Sequence, residues 1–125
     1  MQLKKMPARF FASGGGAEPV RAWLKGLDSE SRRIIGKDIQ KVEFGWPISL
    51  PVCKSLGGGL WEVRSDLSDG RTARVIFGFA EGAIVLLHGF IKKTRETPRQ
   101  DKELALRRLR TLSRSRIKME NHHDG

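Results

Sequence analysis

The chain has 125 residues, enough for one domain with a buried core. Its 24 Lys and Arg residues exceed its 14 Asp and Glu residues, and the formal charge of +10 favours a polyanionic partner, nucleic acid before an anionic membrane or an acidic protein. The alternative is a basic surface that is merely solvated. One cysteine excludes a disulfide framework, no apolar run is long enough to span a bilayer, and the first residues lack the apolar core of a signal peptide. The sequence therefore predicts a cytoplasmic protein.

The N-terminal part of the chain predicts one strand and two helices. Residues 2–11 predict an edge strand, and residues 13–16 predict a turn that lacks the Gly-Lys-Ser/Thr ending of a phosphate-binding loop. Apolar residues at helical spacing indicate a first helix: Val20, Trp23, Leu24 and Leu27. A second helix is expected from about residue 28 to residue 44, because Gly-Trp-Pro follows and proline cannot continue a helix.

Residues 48–59 are rich in proline and glycine and predict a connector. Cys53 in this segment is predicted to be a small buried hydrophobic residue, because a nucleophilic thiol needs a partner base and the local sequence offers none. Lys54 lies just before the next strand, where its ammonium group can reach a phosphate bound beside Arg64.

Three strands joined by tight turns follow, at residues 60–66, 71–80 and 83–92. An acidic residue followed by glycine between alternating apolar runs is a hairpin signal, and it occurs at Asp69-Gly70 and at Glu81-Gly82. The predicted element order is β-α-α-β-β-β-α, one α+β domain in which the two N-terminal helices cover one face of an antiparallel sheet.

Side chains alternate across a strand, which divides the three strands into two faces. The face expected to lie under the helices is almost entirely apolar. Its members are Trp61, Val63, Ser65, Ala73, Val75, Phe77, Phe79, Ala83, Val85, Leu87 and Ile91. The opposite face, which also includes Asp66, combines apolar residues such as Ile84 and Leu86 with five ionisable residues that have the composition of a site: Glu62, Arg64, Arg74, His88 and Lys92. Because these five belong to adjacent strands, this face is the predicted functional site.

After the sheet, the sequence TPRQ at residues 97–100 predicts the start of a helix, with threonine at the cap and proline at the first helical position. The helix is expected to reach about Ser113. A single domain over residues 1–113 is therefore predicted, followed by a flexible basic and polar tail over residues 114–125. Three arginines lie largely off the apolar stripe of this helix and suit either solvent or an anionic partner: Arg107, Arg108 and Arg110.

Several blocks of this region resemble the RelE/ParE toxin superfamily, and more specifically its HigB-like and phage-derived relatives. The blocks are KSL at 54–56, LWEVR at 60–64, RTARVIF at 71–77, LHGFIKKT at 87–94 and TP at 97–98. The resemblance covers about residues 17–112 in layout. It implies a small, twisted, RelE-like antiparallel sheet with two N-terminal helices on one face, a concave basic face and a C-terminal helix.

Members of this superfamily are toxins of type II toxin–antitoxin pairs, and many cleave mRNA in the ribosomal A site. The resemblance thus implies an mRNA endoribonuclease, or mRNA interferase, that inhibits translation by metal-independent and ribosome-dependent cleavage. It also implies a cognate antitoxin, expected to be a helix-turn-helix DNA-binding protein, and no cofactor. One alternative is a ParE-like inhibitor that binds a protein target such as DNA gyrase, and another is a basic module without toxicity.

The resemblance assigns roles to the basic residues by position. Arg64 matches a basic active-site residue, and Arg74 matches the arginine that contacts the scissile phosphate. Lys92 and Lys93 fall where the superfamily has another basic residue. Guanidinium groups suit the neutralisation of a developing phosphorane, because they fork onto two phosphate oxygens and stay protonated. The alternative is that both arginines are general nucleic-acid contacts.

Acid–base chemistry is predicted for the remaining ionisable residues of this face. RNA is cleaved without metal when its own 2′-OH attacks the adjacent phosphate, and Glu62 and His88 can each take the 2′-OH proton near neutral pH. A lysine can protonate the leaving oxygen if neighbouring cations lower its pKa. The chain has no tyrosine, so the C-terminal tyrosine of some ribosome-dependent members is absent and one of these groups must replace it.

Structural alternatives accompany these assignments: Glu62 can be an ion-pair partner of an arginine, and His88 a hydrogen-bonded histidine near the sheet edge. The predicted RNA-binding residues around the catalytic candidates are Lys54, Arg71, Phe90 and Arg95, of which the phenylalanine suits stacking on a base. No metal site is expected, because two adjacent histidines near the C-terminus lack further ligands.

Overall fold

A computed structural model of the chain describes residues 4–48, 51–93 and 97–123, with side chains described as far as residue 112. The described residues form five strands and three helices. In chain order these are β1 (Ala8–Phe10), α1 (Pro19–Lys25), α2 (Ser29–Gly45), β2 (Cys53–Gly57), β3 (Leu60–Asp66), β4 (Thr72–Ala80), β5 (Ala83–Ile91) and α3 (Arg99–His123). The predicted α+β class is confirmed. No helix in the described part of the chain is long and apolar enough to cross a membrane.

The five strands make one sheet in the order β1-β5-β4-β3-β2. Strands β2 to β5 form an antiparallel meander, whereas β1 pairs with β5 in parallel, so the sheet is mixed rather than purely antiparallel. The prediction of a connector over residues 48–59 is wrong for Cys53–Gly57, which forms the edge strand β2. Cys53 is buried opposite Val63, so tertiary packing decides the conformation of a segment whose glycines point to a loop.

Helices α1 and α2 cover one face of the sheet, as predicted. The side chain of Asp28 caps α2 by accepting hydrogen bonds from the backbone amide (3.1 Å) and the hydroxyl (2.7 Å) of Ser31. Trp23 of α1 packs against the core and lies directly on Gly89, where an added Cβ would overlap the indole ring. The prediction that Trp23 is a core residue is therefore confirmed.

A β-bulge in β5 changes which side chains share a face. Ile76 pairs with His88 and Phe77 pairs with Leu86, so one residue of β5, Leu87, has no partner in β4. Leu86, just before the bulge, packs with the α1 and α2 core. Leu87, the bulged residue, packs on the opposite face in the cluster that contains Ala105 of α3. The predicted facing of residues 84–87 is wrong for this reason, whereas the facing of His88 is as predicted.

Helix α3 covers the other face of the sheet. Its Ala105 packs with a second apolar cluster that contains Leu60, Ile76, Val85 and Leu87. Gly78 of β4 lets the helix approach closely, because a Cβ at this position would lie 2.9 Å from Leu109. The helix continues to His123, so the end predicted at Ser113 is too early, and the assignment of residues 114–125 as a tail stays a prediction.

Candidate functional site

Three rows of side chains cross the α3 face of the sheet, as the cross-strand register shows. The first row is Lys54, Glu62, Ile76 and His88; the middle row is Arg64, Arg74 and Phe90; the third row is Asp66, Thr72 and Lys92. The backbone amide of Lys92 donates to the carbonyl of Thr72 at 2.8 Å, which continues the ladder by one pair. Successive rows are two residues apart along each strand, about 6.7 Å. The structure thus brings seven of the predicted site residues onto one surface.

Glu62 and Arg74 form a buried ion pair between the first and middle rows. Their side chains are 0% and 2% exposed, and Nη1 of Arg74 donates to Oε1 of Glu62. The hydroxyl of Thr97, which was predicted to cap α3, donates to Oε2 of Glu62 at 2.6 Å. Both carboxylate oxygens are therefore engaged. This arrangement fits the interpretation of Glu62 as an ion-pair partner better than that of a general base, because a base needs a free oxygen within reach of the substrate.

One edge of the Arg74 guanidinium is left without a partner. Within residues 4–48, 51–93 and 97–112, Nε and Nη2 of Arg74 are buried and have no hydrogen-bond acceptor. These two nitrogens carry parallel N–H groups on the same edge of the plane, the geometry that binds two oxygens of a carboxylate or a phosphate. Glu62 thus orients the guanidinium through its third nitrogen and leaves a fork that suits an oxyanion.

Lysine and arginine side chains surround this fork. Arg64 and Lys92 are half-buried, while Lys54 is exposed in the first row. Burial lowers the pKa of Lys92, and the positive charges of Arg74 and Arg64 lower it further, against an opposing effect of Glu62. An ammonium group in such surroundings releases its proton more readily than an isolated lysine, which is the property predicted for an acid at this site.

His88 lies at the end of the first row and contacts both α3 and the middle row. Its Nε2 is 2.5 Å from Oδ1 of Asp101 in the first turn of α3. Its ring stacks on Phe90 with centroids 5.6 Å apart and planes at 21°. The histidine is 18% exposed and Asp101 is 24% exposed, so the pair is partly desolvated yet open to a ligand. The sequence analysis missed Asp101, because its place in a first helical turn already accounts for an acidic residue.

A comparison with known families identifies the chain. The family model for "Phage derived protein Gp49-like (DUF891)" matches residues 22–110. The chain belongs to this Gp49-like family. The family is a RelE-like toxin family, so the predicted resemblance is confirmed at this level, and the match covers all three rows of the site and the first turns of α3. No curated protein matches the chain.

One predicted RNA-binding residue and one predicted catalytic residue of the Gp49-like chain, Arg71 and Lys93, do not join the three rows. Arg71 follows the β3–β4 turn and points to the α2 side, where it pairs with Asp69 at 2.6 Å and with Asp28 at 3.6 Å. Lys93 is exposed beyond the end of β5. Arg95 lies outside the described residues.

Other chemical groups of the Gp49-like chain have structural roles. Cys53 is 1% exposed, and burial raises its pKa to about 11, which agrees with the predicted small buried hydrophobic residue. Arg108 of α3 donates to the carbonyl of Leu87 at 2.7 Å and lies over the ring of Phe11. Within the described residues, no group of three histidine, cysteine, aspartate or glutamate side chains is placed to hold a metal ion.

Proposed function

We propose that this protein is the toxin of a type II toxin–antitoxin pair and acts as a HigB-like, metal-independent mRNA endoribonuclease. The observation that carries the proposal is the fork of Arg74, a buried guanidinium edge without an acceptor among the described residues, in the middle of a cationic surface. A buried, oriented cation is suited to stabilising charge that develops during a reaction, because it needs no reorganisation when that charge appears.

In this proposal the scissile phosphate binds over the middle row. Arg64 and Lys92 are accessible and meet the phosphate first, and the fork of Arg74 beneath them neutralises the phosphorane as it forms. Phe90 in the same row is half-buried and offers one face for stacking a base, while Lys54 extends the cationic path across the sheet.

The groups for proton transfer stand on either side of this phosphate. His88 belongs to the row before it and Lys92 to the row after it, about 13 Å apart along β5, which leaves room for a nucleotide between them. His88 takes the proton of the 2′-OH as that oxygen attacks phosphorus, and Lys92 gives a proton to the departing 5′-oxygen. The products are a 2′,3′-cyclic phosphate and a 5′-hydroxyl end, and such a displacement requires the attacking 2′-oxygen and the departing 5′-oxygen to be in line.

A toxin of this class needs a partner that neutralises it. We propose a cognate antitoxin, a helix-turn-helix DNA-binding protein, and mRNA on the ribosome as the target. Because the surface carries cations in all three rows, an antitoxin segment with acidic side chains is the expected complement.

The test uses induced expression and purified protein, with Lys92→Ala and Arg64→Ala beside the wild type. Lys37→Ala is the matched control, because Lys37 is an exposed lysine of α2 on the opposite side of the sheet. Wild type and Lys37→Ala should arrest growth and produce new 5′-hydroxyl ends inside translated regions. Purified enzyme that is first stripped with EDTA and desalted should still cleave mRNA on ribosomes, and the two site variants should lose about 10²-fold or more in cleavage rate.

Other outcomes would overturn the proposal. Growth arrest with intact mRNA would refute the ribonuclease reading, and accompanying gyrase-dependent DNA damage would identify a ParE-like inhibitor. Equal loss of activity in Lys37→Ala would show that general basicity, rather than the three rows, determines the effect. Cleavage of free RNA at the same rate with and without ribosomes would refute mRNA on the ribosome as the target.

A further inference from the structure

We infer that Asp101 is a positioning residue for His88, which it holds with Nδ1 free to accept the 2′-OH proton. The inference rests on the proposed function, since it assigns a second residue to the same reaction. It is carried by the 2.5 Å contact between His88 Nε2 and Asp101 Oδ1 and by the stacking of the imidazole on Phe90.

The contact decides which ring nitrogen carries the proton. An ionised carboxylate has no proton to donate, so Nε2–H of His88 must be the donor in a hydrogen bond with Asp101. In the neutral imidazole the lone pair then belongs to Nδ1, and Nδ1 is the basic atom. Without Asp101 the ring would distribute its proton over both nitrogens, and part of the population would present an N–H where the reaction needs a base.

The same contact also fixes the orientation of the ring. Phe90 restrains the imidazole plane from one side at 21°, and Asp101 restrains rotation within that plane from α3. When the ring accepts the 2′-OH proton it becomes a cation, and the adjacent carboxylate stabilises this cation without becoming protonated itself, the role that an aspartate has in a catalytic triad. Asp101 thus contributes to tautomer, orientation and charge together.

A nearby acid on the same helix provides the comparison. Glu103 is exposed and pairs with Arg99 at 2.9 Å, four residues away on the surface of α3. Asp101 lies in the first turn of α3, where an acidic residue stabilises the helix through its dipole, and Glu103 lies two residues farther along the same helix. Only Asp101 has the contact with His88, so a pair of substitutions separates the two roles.

The experiment compares Asp101→Asn with Glu103→Gln, since each replaces one carboxylate of α3 by an amide of the same size. In single-turnover cleavage, the maximal rate constant should fall about 10²-fold for Asp101→Asn with little change in the enzyme concentration that gives half of it, because the lost interaction acts on the reaction rather than on RNA binding. Glu103→Gln should cleave at the wild-type rate, and Asp101→Glu should recover part of the loss. Thermal unfolding of each variant confirms that the fold is retained.

A spectroscopic measurement tests the hydrogen bond without requiring activity. The ¹⁵N shifts of the His88 ring, assigned with His88→Ala, should show the proton on Nε2 in the wild type and in Glu103→Gln, and a mixture of tautomers in Asp101→Ala. A ring with its proton on Nδ1 in the wild type would overturn the inference.

The kinetic outcomes separate this inference from the proposed function. If the wild type cleaves RNA and Asp101→Asn cleaves it equally well, the role of Asp101 is refuted while the ribonuclease proposal stands. If the wild type cleaves no RNA with or without ribosomes, the proposed function is refuted, and the catalytic role of Asp101 falls with it.

Discussion

The two faces of the sheet are held to their helices by different kinds of interaction. On the α2 face, apolar side chains such as Val63, Val75 and Phe77 pack against Ile35 and Val42, all of them almost fully buried. On the α3 face, an apolar cluster fills only part of the interface. The rest consists of polar contacts that link α3 and the segment before it to the buried pair and to His88.

This difference concerns how much each face contributes to the stability of the fold. Burial of apolar area stabilises a fold in any solvent-excluded arrangement, whereas a buried ion pair recovers its desolvation cost only with good geometry and further hydrogen bonds. A protein that needs only a stable sheet has no reason to bury Arg74 and Glu62. Their presence on the α3 face agrees with the site proposed there, and the contrast between the faces can be tested by substitution.

The largest effect is expected from breaking the buried pair. Arg74→Ala leaves the carboxylate of Glu62 buried without its counter-charge, which should reduce the free energy of unfolding by about 3–5 kcal/mol. Urea denaturation of the wild type and the variant measures this loss. Toxicity assays with Arg74→Ala alone would therefore confuse lost stability with lost catalysis, which is why Lys92 and Arg64 are the better functional variants.

A double substitution serves as the control for this prediction. Glu62→Leu combined with Arg74→Met replaces the pair by apolar side chains of similar volume and should restore most of the lost stability while abolishing cleavage. A double variant that remains as unstable as Arg74→Ala would show that apolar packing cannot replace the ion pair and its hydrogen bonds.

A smaller effect is expected from adding a methyl group at the two glycines that let helices approach the sheet closely. Gly89→Ala forces a methyl group into the indole of Trp23, a rigid ring held in the core, and should cost about 3 kcal/mol. Gly78→Ala meets the flexible end of Leu109 at 2.9 Å and should cost about 1 kcal/mol, because that side chain can move. Thermal or urea unfolding of both variants measures the two losses in the free energy of unfolding, one for each face of the sheet.

Gly14→Ala is the matched control for these two substitutions, since nothing lies within 4 Å of an added Cβ at Gly14. Its stability should stay within about 0.5 kcal/mol of the wild type. Equal costs for Gly89→Ala and Gly78→Ala would contradict the expectation that the ring of Trp23 yields less than the side chain of Leu109.

The smallest perturbation uses Cys53 as a probe of the α2 face. Its thiol has a pKa raised to about 11 by burial, so only about one molecule in a thousand carries a thiolate at pH 8. Labelling by a thiol reagent should be slow in the native state and immediate after unfolding. Because the folded pKa lies above the ordinary thiol value of 9.0, stability from this group is present at neutral pH and is lost as the pH rises from about 9 to about 11. Rapid labelling of native protein at pH 8 would show that β2 and the adjoining core open readily.

Local patterns in the sequence predicted most of this architecture. Helical spacing located α1 and α2, acid–glycine turns located the β3–β4 and β4–β5 hairpins, and strand alternation placed Glu62, Arg64 and Arg74 on one face. These features depend on neighbouring residues, which a single sequence contains in full.

The features that the sequence did not reveal depend on distant contacts. Strand β2 exists because Cys53 is buried opposite Val63, and the bulge at Leu87 follows from how β5 meets β4. The contact between His88 and Asp101 joins a strand to a helix thirteen residues later, and nothing in the sequence distinguishes this aspartate from an ordinary first-turn acid. Many residues of the candidate site were therefore predictable, but the hydrogen bonds and ion pairs that connect them were not.

The pairing of β1 with β5 constrains the order in which this fold can assemble. Ala8 aligns with Ile84, so the first strand forms its hydrogen bonds with a partner from the far side of the chain, whereas β2 to β5 pair with immediate neighbours. Closing so long a loop is entropically costly and slow compared with hairpin formation. During synthesis the N-terminal segment must wait until β5 has left the ribosome. The β2–β5 meander, which carries the cationic rows, can thus form before β1 adds to the sheet beside β5.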